Sequence, residues 1–209
     1  ITSDGRDIRF FDREVNNPYT ENVGKLPYWI ESISSNELRV WVKIPYIPAN
    51  GQITIYMYYG NPNAVRESNG DAVFEFFDDF LGTSLDANKW TTTGYGGYEG
   101  VYYSVSNGVL TIWSDYRWRI LRANKNFAPS DTIVVEVKFL KTADSAWKTN
   151  YLVQYDNVIN NSFGLVDGLY FGETMGVEQI VSGFPEFPKA LGVFLYNVWY
   201  ISRIIKKSS

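Results

Sequence analysis

Leu38, Val40, Val42 and Ile44 alternate with Arg39, Trp41 and Lys43. A strand turns such a period-two row into one apolar and one polar face, and a helix scatters it. The same period returns in Ile53, Ile55, Met57 and Tyr59 against Thr54, Tyr56 and Tyr58, and in Ile133, Val135, Val137 and Phe139 against Glu136 and Lys138. Residues 7–11 (DIRFF) and 27–33 (PYWIESI) read as short strands, and others are predicted over 118–122, 132–140, 151–155, 165–171, 176–181 and 193–205. Asn107-Gly108 between alternating runs predicts a tight hairpin, because both residues tolerate positive φ. No segment carries a helical period, so the chain reads as all-β.

Gly60-Asn61-Pro62 stops the strand that begins at Ile53, since proline cannot donate to a ladder. Val73 to Phe80 then starts a second aromatic-rich run, which reads as the first strand of a new unit. The organisation expected is a first unit over 1–63, a short connection over 64–72 and a second unit over 73–209. Residues 64–72 are too few and too mixed in composition for a flexible tether, which predicts that the two units are docked.

The chain has a net charge of −4 and no basic block beyond Lys206-Lys207, so nothing in it neutralises a run of phosphates and nucleic acid is not an expected partner. No apolar stretch reaches the ~20 residues of a membrane helix. The first residue is Ile1, with no methionine and no signal peptide, which reads as a processed or excised product. Histidine and cysteine are both absent. That removes triad chemistry, thiol chemistry, disulfides and the usual transition-metal ligands, and leaves carboxylates, lysine and tyrosine for any catalysis.

The elements DGRDIRFFD, LPYWIES and LRVWVKIPYIPANGQITIYMYYGNP, over roughly residues 4–63, resemble the domain of unknown function DUF2341. The resemblance implies a β-sandwich and a prokaryotic surface-protein setting, and no activity. Its members usually carry a strand or two ahead of the DGxDIRF element, where this chain has almost nothing. The first sheet is therefore expected to be completed by a strand from outside residues 1–63. The C-terminal run over 196–207, apolar on both faces, is one candidate donor. FEFFDDFLGTSLDANKW and SVSNGVLTI are similar to the opening of a concanavalin A-like lectin/glucanase jelly roll over about 74–205. Together these predict two docked antiparallel β-sandwiches, the second a concanavalin A-like jelly roll.

Glucanases of that fold place paired carboxylates on one strand face as E-x-D-x-x-E or E-x-D-x-E. No such spacing occurs here, so the chain is not expected to be an enzyme. Adjacent Asp78 and Asp79 suggest help in holding a structural calcium, or else a turn cap beside a solvated carboxylate. No other cofactor is expected. Trp113, Tyr116 and Trp118 bracket a turn, and Trp147 lies in a polar stretch. Flat rings beside Asp, Asn and Arg suit sugar stacking, and equally suit core filling or contact between copies. The reading reached is a non-catalytic carbohydrate-binding or adhesion module of a cell-surface or secreted prokaryotic protein, its partners a glycan or neighbouring copies. The alternative is a structural subunit of a surface layer or filament, assembled by strand exchange and aromatic contacts. A divergent glycoside hydrolase comes third.

Overall fold

The computed structural model describes residues 1–94, 102–113, 119–127, 132–140, 150–158, 161–167, 174–181, 184–193 and 197–206. These residues fall in two compact units. One joins Ile1–Asp86 with Tyr102–Ile112, and the other joins Ala87–Val101 with Trp113–Ser209.

In the first unit β1 (Arg9–Phe11) pairs antiparallel with β4 (Tyr56–Tyr58), while β2 (Tyr28–Ile33) pairs with β3 (Leu38–Val42). Ile8, Phe10, Leu26, Tyr28 and Ile30 form the buried centre, and Leu38, Val40, Val42 and Ile55 pack against it. The apolar face read from the β3 sequence is thus the face that goes inward. The strand expected from Ile53 is shorter than its alternation, because β1 offers only three residues to pair with. Ile55 still packs on the core, without a ladder.

Residues beyond 63 are built into this unit. Asn69 N donates to Tyr28 O at 2.8 Å and Ile30 N to Ser68 Oγ at 2.9 Å, which covers the open edge of β2. One turn of helix follows, α1 (Gly70–Val73), with the Asn69 side chain accepting from Ala72 N at its start. It is too short to leave a period in the sequence. The run over 73–80 is not a strand: Asp78 Oδ1 accepts the Phe80 N–H at 2.8 Å and Phe80 takes φ 53°, a tight turn.

Four further sheets complete the description of these residues. β6 (Tyr102–Ser106) and β7 (Val109–Trp113) form the expected hairpin, with Asn107 and Gly108 at φ 52° and 74°. β5 (Trp90–Gly94) pairs with β8 (Arg119–Ala123). The strands β10 (Asn150–Val158), β11 (Asn161–Asp167), β12 (Thr174–Val181) and β13 (Phe184–Val193) make a four-stranded meander. β13 was not foreseen because it carries Pro185 and Pro188. It holds them as the outer strand of its sheet, with a register shift where Pro188 falls. β9 (Ile133–Leu140) pairs with β14 (Trp199–Lys206).

The last pairing corrects one expectation. The C-terminal run serves β9, and among the described residues every ladder of β1 to β4 lies within residues 1–63. Among the described residues no strand from outside 1–63 joins these ladders.

The two docked sandwiches and the jelly roll are also overturned. Each ladder joins neighbours along the chain or closes around them, as β5–β8 does around β6–β7 and β9–β14 around the meander. A jelly roll needs such ribbons to pair sideways into two broad curled sheets. Here the described sheets are small and uncurled, two-stranded except for the meander. The all-β character stands. Local signals such as Asn-Gly specify a hairpin, not the architecture that the hairpin joins.

Candidate functional site

The sequence of β2, YWIESI, breaks its own period. Tyr28 and Ile30 face the core, and the next apolar residue is Ile33, three positions on. The ladder absorbs the extra residue: Ile30 pairs with Val40 and Ser32 with Arg39, leaving Glu31 as a bulge. Ile33 thereby returns to the core face opposite Leu38. Before the bulge, Trp29 stands directly across from Trp41 on the face turned away from the core. Glu31, freed from the ladder, accepts a 2.9 Å hydrogen bond from Trp41 Nε1.

The segment that covers the β2 edge brings two more rings to this face. Phe77 meets Trp29 edge-on at 4.8 Å between centroids, Phe74 meets Trp29 at 5.8 Å and Trp41 at 5.5 Å, and the two phenylalanines stack. Gly70 makes this possible, because it is buried under the Phe77 ring and a Cβ there would collide with it. Trp41 remains 37% exposed. Arg39 and Lys43 share its face of β3, with Arg39 Nε 2.6 Å from Glu37 and Lys43 Nζ 3.6 Å from Glu75. Glu37 keeps the Arg39 guanidinium above its usual pKa. The result is an open indole, held by a carboxylate and flanked by cations and acids. Such a surface takes the C–H face of a sugar on the ring and its hydroxyls on the polar rim.

A buried ionic cluster lies elsewhere in the unit and is fully occupied with holding it. The Arg9 guanidinium donates to Ile8 O at 2.6 Å, Arg6 O at 2.9 Å and Val65 O at 2.6 Å, and sits over the Tyr19 ring. Its Nε lies 3.0 Å from Glu67, off the line of a hydrogen bond. Burial pushes the Tyr28 phenol up, so it stays neutral and donates to Ile8 O at 2.6 Å. Asp7 accepts from Thr2 N, Thr2 Oγ1 and Gly60 N, each at 2.8 Å. Burial pushes its carboxyl up, but these donors outweigh burial and hold it at about 2. Asp7 thus ties the turn after β4 to the start of the chain.

Of the residues singled out from sequence, Tyr116, Trp118 and Trp147 lie outside the described residues, and Trp113 is described only as the last position of β7. Asp78 caps the turn at Phe80. Calcium takes six to eight oxygens, and among the described residues no group of three or more acidic, histidine or cysteine side chains is placed to hold a metal. Two shallow hollows, of about 490 and about 520 Å³, are lined by Glu14, Glu21 and Tyr56 and by Lys25, Glu67 and Asn69. Neither Asp78 nor Asp79 lines either hollow. Trp29 and Glu31 were missed as site residues, and the phase break in YWIESI was the signal for them.

No helix among the described residues is long and apolar enough to cross a membrane. Comparison with curated proteins and with solved structures gives no match. A family model described as a domain of unknown function, DUF2341, matches residues 4–93, so the match runs past residue 63 and takes in the segment that carries Gly70, Phe74 and Phe77.

Proposed function

We propose that the protein is a non-catalytic carbohydrate-binding or adhesion module of a cell-surface or secreted prokaryotic protein, and that a sugar ring stacks on the Trp29–Trp41 face of the first unit. The observation that carries this reading is Trp41 itself. Its ring is open, and its N–H is fixed by a bulged glutamate rather than by core packing. An indole whose orientation is set beforehand loses little entropy on stacking. Arg39, Lys43, Glu37 and Glu75 around it offer donors and acceptors for hydroxyls.

A glycan array probed with the full chain tests the proposal, followed by titration of any hit into Trp41→Ala and Trp118→Ala variants. Loss with Trp41→Ala alone supports this face. Loss with Trp118→Ala alone moves the site to the aromatic run first read from the sequence. Binding that neither change affects removes both.

A further inference from the structure

The chain carries three Asn-Gly pairs, at 50–51, 69–70 and 107–108. Each sets a carboxamide carbon one residue ahead of a backbone nitrogen that no Cβ shields. Joining that nitrogen to the asparagine Cγ closes a five-membered ring. The ring lays the nitrogen alongside Cβ, with the asparagine ψ at about −120°, the value of the first central residue of a type II′ turn.

The fold treats the three pairs differently. Asn69 caps α1 with ψ 108°, its side chain accepts from Ala72 N at 3.3 Å, and Gly70 is buried under Phe77. Turning its ψ would undo the cap. Asn50 is exposed, but the Gly51 N–H donates to Pro48 O at 3.0 Å and closes a turn. Rotation about the Asn50 Cα–C bond must first break that hydrogen bond. Asn107 is exposed, and among the described residues neither its side chain nor the Gly108 N–H is hydrogen-bonded. It shares the two-residue loop between β6 and β7 with Gly108, at φ 52° and 74°, a type I′ arrangement. A flip of the peptide plane between them converts I′ to II′ and takes the Asn107 ψ to the ring-closing value. The other dihedral that changes is φ of Gly108, which glycine admits, so the strands on either side stay in place.

We propose that Asn107 is a self-modification site, converting in the folded protein to aspartate and isoaspartate ahead of Asn50 and Asn69. Hydroxide takes the Gly108 N–H proton, and the nitrogen bonds to Asn107 Cγ. The Cγ–Nδ2 bond breaks, and Nδ2 takes a proton from water and leaves as ammonia, which returns the hydroxide. Water then adds to either carbonyl of the ring. Opening at Cγ gives aspartate, and opening at the main-chain carbonyl gives isoaspartate, whose backbone runs through Cβ. Aspartate tolerates the left-handed loop. Isoaspartate adds a methylene to a loop whose length sets the register, and so loosens the hairpin. Either product adds a negative charge at the hairpin tip. This inference does not depend on the sugar-binding reading.

Incubation of the full chain in mildly alkaline buffer, folded and in guanidinium, tests it when followed by peptide mapping that separates aspartate from isoaspartate. In guanidinium the three pairs are expected to convert at similar rates. In the folded chain Asn107 is expected to convert about two- to tenfold faster than Asn50, the effect of one turn hydrogen bond. Asn69 is expected to be the slowest. A folded chain that keeps Asn107 intact while the unfolded chain is converted overturns the proposal. So does one in which Asn50 or Asn69 converts as fast as Asn107, or a ratio between the sites that guanidinium leaves unchanged.

Discussion

Trp41 donates its indole N–H to Glu31, and Glu31 can accept it only because β2 carries one residue more than β3 across from it. The bulge keeps Ile33 on the core and aims a carboxylate at the ring in one step. Deleting Glu31 would close the ladder into plain alternation with Ile33 still opposite Leu38, so the core face is kept and the acceptor of the Trp41 N–H is lost. That deletion is expected to cost no more than about 1 kcal/mol in chemical denaturation. Glu31→Ala keeps the residue count, and its effect on stability should stay below about 1 kcal/mol.

Gly70 is a packing position for the aromatic face. Gly70→Ala drives a methyl group into the Phe77 ring and is expected to destabilise the first unit by about 1–3 kcal/mol. Near-ultraviolet dichroism should change with it, since Phe77 would move off Trp29. An unchanged aromatic spectrum and unchanged stability would show that the segment over 70–77 packs otherwise.

Asp7 gives the first unit an acid limit. Its folded pKa of about 2 lies below that of an unfolded aspartate. Its contribution is therefore complete above about pH 5 and is lost as pH falls toward 2. Asp7→Ala leaves the Gly60 and Thr2 donors unpaired and should cost about 3 kcal/mol at pH 7. The difference between wild type and variant should shrink steadily below pH 5. A difference that stays constant down to pH 2 would show that the carboxylate is not what the donors hold.

No turnover and no calcium dependence are expected. Incubation with β-glucans, galactans and chitin should release no reducing sugar above blank. The melting temperature should be the same in chelator and in millimolar calcium, since Asp78 is engaged with the Phe80 N–H. A rise of several degrees with calcium would assign the Asp78-Asp79 pair a metal after all.

The strands were legible where burial is one-sided. The inward row of β9 and that of β3 both follow from alternation alone, because one face meets the core and the other meets water. Asn107-Gly108 announced its hairpin through its backbone freedom. What failed was everything set by partners distant in sequence. The length of β4 depends on β1, the use of β14 depends on β9, and the run over 73–80 serves Trp29 instead of starting a sheet. Alternation placed Trp41 on the face away from the core, but its partners Glu31 and Phe74 were not legible, because they come from a bulge and from a turn that leave no period.

The central claim is that Trp41 is the stacking platform for a sugar. Calorimetric titration of the best glycan from an array into wild type, Trp41→Phe and Trp41→Ala measures this directly. The account predicts binding in wild type and a modest loss with phenylalanine, which keeps a ring without the bond to Glu31. With alanine it predicts a loss of at least 1 kcal/mol, about fivefold or more in affinity, in a variant that circular dichroism shows to be folded. Equal affinity in all three proteins would contradict it.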